Sequence, residues 1–325
     1  MESRRLRRLD RVVPRLGLGL AALGRPGYIT LGHADDLDRD YDPLSMQRRA
    51  HRVLDAAHGM GVGWLDAARS YGDGERFLGS WLAIRGFAPG TFTVASKWGY
   101  AYTAGWQVRA DRHEVKDHTL PLLRRQLEES RGNLGEHLLV YQIHSATLES
   151  GVLDDAGVLA ELGWLRSEGL RIGLSVSGAG QAATLRKAMG VEIDGVPLFD
   201  TVQATWNLLE RSAGDALAEA HASGMGVIVK EGLANGRLTP RGGPSPVLEA
   251  TAARLGTTLD ALALAAVLAQ PWADVVLSGA ATVEQLRSNA AALAVRWDAE
   301  AEAALAGLAE PSAAYWEARS RLAWT

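Results

Sequence analysis

Short apolar runs alternate with longer segments of helical period along the whole chain. The runs Arg15–Leu20, Gly63–Ala67, Phe92–Lys97, Leu138–His144, Arg171–Ser177, Thr201–Asn207, Gly226–Glu231 and Val275–Gly279 are nearly continuous in apolar residues. Strands buried on both faces have this appearance, whereas half-solvated strands alternate. Between them, Met46–Met60, the stretch holding Phe77, Leu78, Trp81 and Leu82, Leu120–Leu134, Val158–Leu170, Gln181–Met189, Asp215–Ala222, Leu259–Ala269 and Val283–Ala294 repeat apolar positions every three or four residues. Glycines at 61, 86, 169 and 224 stand where helices are expected to stop. Eight strand signals, each followed by a helix, predict a closed parallel (β/α)8 TIM barrel of the α/β class. No linker or low-complexity stretch divides the chain, so residues 1–325 read as one domain. Two connections, Gly99–Lys116 and Ala234–Pro246, are long; both fall on the face where strands end and read as functional loops.

Composition narrows the picture. The chain has no cysteine, which removes disulfides, zinc–thiolate sites and a cysteine nucleophile; no metal site is expected. With 47% hydrophobic residues, 22% charged residues and a net charge of -4, it offers no basic footprint for nucleic acid. No apolar run approaches the ~20 residues of a membrane span. Met1–Arg8 is basic and Leu16–Gly24 apolar, a loose likeness to a signal peptide, but Pro14 and Arg15 interrupt it and no cleavage site follows. The expectation is a cytoplasmic protein without membrane or nucleic-acid partners, of unassigned oligomeric state.

Polar residues gather at the ends of the expected strands. The second ends at Asp66, the third at Ser96 and Lys97, the fourth at His144, the fifth at Ser175 and Ser177, the seventh at Lys230 and Glu231, the eighth at Ser278 and Gly279; the sixth carries Gln203. All would converge on the barrel's C-terminal rim, where active sites sit. Tyr71 follows Asp66 closely enough to fold over that rim. Singly, each has a plain structural role: Asp66 with Lys97 as an ion pair, His144 as a core histidine, Tyr71 as a loop aromatic.

Taken together, the segments Asp66–Gly72, Ala95–Gly99, Tyr141–His144, Ile172–Ser175, Val202–Gln203 and Gly279–Asn289 resemble the aldo-keto reductases over roughly residues 15 to 295. The resemblance implies a catalytic tetrad of Asp66, Tyr71, Lys97 and His144. It implies hydride transfer between nicotinamide C4 and the carbon of a small carbonyl or alcohol substrate. Tyr71 would be the general acid, its pKa (ordinarily near ~10) lowered by the Lys97 cation. His144 would donate a hydrogen bond to the carbonyl oxygen. Cofactor contacts implied are Ser175, Gln203, Lys230, Leu233, Gly279, Thr282, Gln285 and Asn289; Thr282 is also read as a plain helix cap. The cofactor is taken as NADP(H), with NAD(H) the alternative, because the charged phosphate clamps of many relatives are absent and only Arg241 or Arg287 stands in reach. Val176 replaces the amide residue usual after Ser175. Lys230 stands where relatives place an aromatic ring. A cation there would disfavour the positively charged oxidised ring; the alternative is a pair with Glu231 or with the cofactor pyrophosphate, and strand alternation places Lys230 and Glu231 on opposite sides.

Trp98 and Trp206 are expected as walls of the substrate pocket, with Tyr100, Tyr102 and Trp106 near them. The tail Tyr315–Trp324 either closes over the mouth or packs outside. Two other functions compete: a Schiff-base aldolase using Lys97, and a non-catalytic cofactor-binding subunit.

Overall fold

The computed structural model describes residues 2–325. Eight parallel strands close into a barrel. They are β1 (Leu16–Gly19), β2 (Trp64–Asp66), β3 (Thr93–Trp98), β4 (Leu138–Ala146), β5 (Arg171–Val176), β6 (Thr201–Thr205), β7 (Gly226–Lys230) and β8 (Val275–Ser278). Each pairs with the next in sequence, and β8 returns to β1 with Val276 opposite Leu16 and Ser278 opposite Leu18. Helices α1 (Pro43–Gly59), α2 (Gly74–Arg85), α3 (Leu120–Leu134), α4 (Ala156–Ser167), α5 (Gln181–Met189), α6 (Gly214–Ala222), α7 (Leu259–Leu268) and α8 (Val283–Ala290) follow the strands in turn. Every expected strand and helix is present. Gly86, the C-cap of α2, takes φ +67°, a conformation in which any other residue would be strained.

Period-two alternation divides the barrel interior into layers. Trp64, Ala95, Val140 and Ile228 form an apolar lower layer with Val275 and Leu277. Two residues further along the same strands, on the same inward face, stand Asp66, Lys97, Gln142 and Lys230. The outward-facing strand residues pack with the helices in a separate, larger core.

The N-terminal segment is part of this architecture. Ser3–Leu6 and Arg11–Pro14 pair as an antiparallel hairpin, and Leu6, Leu9 and Val13 plug the lower layer from below. Its arginines donate to carbonyls around the barrel's lower rim. Arg7 reaches His221 O at 2.8 Å and Ala222 O at 3.0 Å. Arg8 reaches Phe199 O at 2.8 Å and Ser223 O at 3.1 Å. Arg15 reaches Leu268 O at 2.6 Å and Ala273 O at 2.9 Å. A guanidinium satisfies end-of-helix carbonyls and complements the negative end of the helix dipole. The apolar run after this basic stretch is β1 itself.

The two long connections, read as functional loops, carry secondary structure of their own. Gly99–Lys116 holds a ribbon of Tyr100–Tyr102 against Glu114–Lys116. Beyond β7 come two 3-10 turns, Ala234–Gly236 and Pro240–Gly242, then an extra helix, Pro246–Arg254. The strands of the ribbon are too short to show a period. The expected helix Val283–Ala294 tightens to 3-10 geometry over Ala291–Ala294.

Leu6 is 1% exposed and seals the bottom of the barrel. Leu6→Ala should cost about 3 kcal/mol of unfolding free energy in urea titrations, the cost of a core cavity, and leave cofactor affinity unchanged because the mouth is at the opposite end.

Candidate active site

The strand ends bring Asp66, Lys97 and His144 to one mouth. Tyr71 arrives from the β2–α2 loop, which lies backbone-on-backbone against Gly24. Asp73 N–H donates to Gly24 O at 2.8 Å, and a Cβ on Gly24 would stand 2.2 Å from Tyr71 O. Only glycine permits an approach this close, and it fixes where the phenol hangs.

Lys97 is 1% exposed. Its three N–H bonds have three acceptors: Asp66 Oδ2, Ala67 O at 3.0 Å and Tyr71 OH at 3.2 Å. The other Asp66 oxygen accepts from Gln203 Nε2 at 2.9 Å and Gln142 Nε2 at 3.3 Å. A buried charge pair is tolerable only when its remaining donors and acceptors are filled in this way. Gln142 was not anticipated from the sequence, although it shares the inward face of β4 with His144.

Burial first, and the Asp66 carboxylate second, push the Tyr71 phenol well above its ordinary value. The direction is opposite to the lowering expected from Lys97, chiefly because the phenol is buried and secondly because the Asp66 carboxylate is beside it. The phenol therefore keeps its proton. His144 lies edge-on to Tyr71 at 5.6 Å between ring centres, and its Nδ1 is 3.4 Å from Ser70 Oγ. Burial and then Lys97, Arg25 and Lys230 hold its pKa well below the usual imidazole range, so the ring is neutral.

A single cavity of about 510 Å³ runs from these groups to the start of α8. Asp66, Tyr71, His144 and Gln203 line one end; Gly279, Gln285 and Asn289 line the other, with Lys230 and Leu233 between. At the α8 end Thr282 Oγ1 accepts Gln285 N–H at 3.2 Å, and Gln285 Oε1 accepts Ala281 N–H at 2.8 Å. Thr282 is a helix cap behind the cavity wall. Ser175 is also behind the wall, where its Oγ accepts the Ser145 N–H at 2.7 Å. Arg241 reaches the cavity and is paired with Asp36; Arg287 is exposed on the outer side of α8.

Three expectations are corrected. Trp98 and Trp206 do not line the cavity. Trp98, the last residue of β3, follows inward-facing Lys97, so alternation turns it outward, whereas Trp206 stands one residue past the end of β6 with its ring buried in the outer core. Trp98 packs on His118 and Trp206 on Trp272. Lys230 and Glu231, expected on opposite sides, both face the cavity. Glu231 lies beyond the last paired residue of β7 at φ +56°, which breaks the alternation.

The tail settles over the mouth. Tyr315 packs at 1% exposure inside a helix, Ser312–Ser320. Arg319 clamps both oxygens of Glu231. Trp324 stacks on His113 at 3.9 Å and lies 4.8 Å from the Arg25 guanidinium. Arg25 also donates to Glu114 at 2.9 Å. Among these substrate-end residues, Arg25 and Glu114 carried no signal in the sequence, since their pairing depends on how the ribbon folds.

A (β/α)8 barrel that gathers a buried phenol, its lysine–aspartate support and an imidazole at its C-terminal mouth has its polar groups where barrel enzymes carry their active sites. The chain belongs to the aldo/keto reductase family, whose model matches residues 15–310, a family of NAD(P)-dependent oxidoreductases. It is 27% identical to the uncharacterized oxidoreductase YrpG of Bacillus subtilis (strain 168), over 78% of this chain and 85% of that protein. A shorter match, 32% identical over 33% of this chain and 27% of the other, is to aldo-keto reductase str7 of Strobilurus tenacellus. The fold superposes on the holo form of the aldo-keto reductase AKR11C1 from Bacillus halodurans with a TM-score of 0.70 at 20% identity, covering 96% of this chain and 97% of that one. PA4992 from Pseudomonas aeruginosa gives 0.62 at 25% identity, covering 90% and 95%.

Burial pushes His33 and His118 down to about 4, as it pushes His144 down. Their folded values lie below the unfolded value of about 6.5, so acid protonates the unfolded chain preferentially. Stability should be full above pH 6.5 and fall as the pH drops from there to 4, by up to about 1.4 kcal/mol per pH unit for His33. Urea titrations at pH 7.5 and 5 should show the loss, and His33→Phe should reduce it.

Proposed function

We propose that this protein, as a single barrel domain of 325 residues, moves a hydride between NADP(H) and the carbonyl or alcohol carbon of an aldehyde, ketone or sugar-like substrate. The observation that carries the reading is the hydrogen bond from fully committed Lys97 to Tyr71 OH, 3.2 Å, at one end of a cavity long enough for an extended ligand. The donor set fits a dinucleotide. Gln203 stands toward the tetrad and Leu233 in mid-cavity; Gly279 and Gln285 stand at the N-terminus of α8, which suits phosphate, and Asn289, near the other end of that helix, donates to Ser278 Oγ at 2.8 Å. Ser175 and Thr282 would support that site from behind the wall. The nicotinamide, when bound, supplies or accepts the hydride.

The chain's own residues manage the oxygen. Tyr71 gives its proton to the carbonyl oxygen as charge grows there, and takes it back in the reverse direction. Lys97 steadies the phenolate left behind, and Asp66 keeps Lys97 charged and in place. In this reading Ser70 Oγ donates to Nδ1 and the His144 proton is assigned to Nε2, toward the same oxygen. Because its three hydrogens are committed to acceptors, Lys97 has no free lone pair for an imine, which disfavours the aldolase reading. A cytoplasmic setting is part of the proposal. It draws on the absence of cysteine, which suits a reducing compartment.

NADP(H) is supported by Arg241, a cation on the cavity wall that is paired with Asp36. One observation favours NAD(H) as a second reading. Asp260 lines the cavity toward α8, two residues from Thr258, whose hydroxyl is 3.1 Å from Ser288 Oγ on α8. A carboxylate there accepts ribose hydroxyls and repels a 2′-phosphate.

Tyr71→Phe should lower kcat for carbonyl reduction by about 10²–10⁴-fold while cofactor binding persists, measured by steady-state kinetics and by tryptophan quenching. Retained turnover would remove Tyr71 from the mechanism. Asp260→Asn should shift the Kd ratio toward NADPH and Arg241→Met away from it; a ratio indifferent to both would place the adenosine end elsewhere.

A further inference from the structure

Three cation–carboxylate pairs line the substrate end of the cavity, and one cation is left over. Asp66 is taken by Lys97, Glu114 by Arg25 at 2.9 Å, and both oxygens of Glu231 by Arg319, whose Nε stands 2.9 Å from Oε2. Lys230 remains. Its Nζ donates to Thr205 Oγ1 at 2.7 Å and stands 3.9 Å from Glu231 Oε1, an oxygen that already has guanidinium donors. The side chain is 16% exposed and sits on the cavity wall. This ammonium has no counter-ion of its own, and its field reaches His144.

Hydride transfer requires nicotinamide C4 to lie about 3–3.5 Å from the carbonyl carbon, whose oxygen is held by Tyr71 and His144. The ring therefore occupies the part of the cavity that Lys230 walls. Oxidised and reduced rings have nearly the same shape and differ by one positive charge. A fixed ammonium in a water-poor cavity separates the two by Coulomb repulsion, whereas a contact to phosphate treats them alike.

We propose that Lys230 discriminates between the redox forms of the cofactor, repelling the oxidised ring so that the reduced form occupies the site and the enzyme works toward carbonyl reduction. The inference rests on the hydride-transfer reading above. The discrimination follows the charge on Lys230, which burial lowers to about 8. The groups facing it are Glu231 beyond β7, Thr205 on β6, Arg319 and Trp316 from the tail helix, and Asp66, Lys97 and His144 from β2, β3 and β4. Glu231 is held well down, to about 2, and His144 is neutral, so Lys230 is the group among them that changes charge near pH 8. Below that pH the discrimination is present, and above it the discrimination fades.

The test measures Kd for NADPH, NADP+, NADH and NAD+ by tryptophan quenching. It uses the full chain at pH 7 and pH 9.5, with Lys230→Met and Lys230→Arg, and ADP-ribose as a ringless control. The reduced form should bind wild type about tenfold or more tighter than the oxidised form at pH 7, a gap of about 1.4 kcal/mol or more. That ratio should collapse toward one in Lys230→Met and in wild type at pH 9.5. It should persist in Lys230→Arg at both pH values, and ADP-ribose affinity should not change. A ratio indifferent to pH and to Lys230→Met overturns the proposal. So does equal weakening of both redox forms and of ADP-ribose, which would assign Lys230 to the pyrophosphate. Failure of wild type to bind any nicotinamide cofactor would defeat the hydride-transfer reading itself.

Discussion

The buried pair of Lys97 and Asp66 governs the upper half of this barrel. Two opposite charges removed from water lose several kcal/mol of hydration each, and attraction alone repays this poorly. The structure meets that demand with hydrogen bonds: a backbone carbonyl and a phenol complete the ammonium, and two glutamine amides complete the carboxylate. Those partners come from β2, β3, β4, β6 and the loop that carries Tyr71. Their inward registers are therefore tied together above the apolar layer. The phenol's position and its retained proton are consequences of the same pairing.

The pattern extends outward. Arg25 with Glu114 and Arg319 with Glu231 bring distant segments, the ribbon and the tail, to the rim by the same means. Each pair is partly buried and draws its partners from different elements, so it specifies where a loop lands. Lys230 is the exception within this neutralised rim, and its unbalanced charge is what separates the site from a merely well-packed mouth.

The sequence exposes the barrel because strands buried on both faces are written as apolar runs, and the polar residues that end them stand out. Asp66, Lys97, His144 and Gln203 were legible for that reason. Trp98 and Trp206 stand near strand ends, which suggests the pocket, but Trp98 is one residue from Lys97 on a pleated strand and takes the opposite side, Trp206 lies past the end of β6, and both rings belong to the outer core. Glu231 shows the opposite error, because alternation was extended one residue past the last paired position, where the backbone had already turned. Arg25 and Glu114 lie in segments without periodicity and Arg319 on the tail helix, and only the tertiary fold brings them to the cavity. The N-terminal arginines looked like a targeting signal because their acceptors are backbone carbonyls, which have no letter in the sequence.

Those arginines also bear on how the chain reaches this state during synthesis. The hairpin that holds Arg7 and Arg8 leaves the ribosome early, yet the carbonyls it caps belong to residues 199–223, and those that Arg15 caps to residues 268 and 273. The β1 strand waits longer still for β8. For most of translation the first strand has an open edge and the barrel has no floor, a state of high contact order and exposed apolar surface. Vectorial folding of successive βα units can proceed from β1 onward, but closure is necessarily a late event. It is therefore the nascent, unclosed barrel, more than the finished enzyme, that calls for chaperone protection.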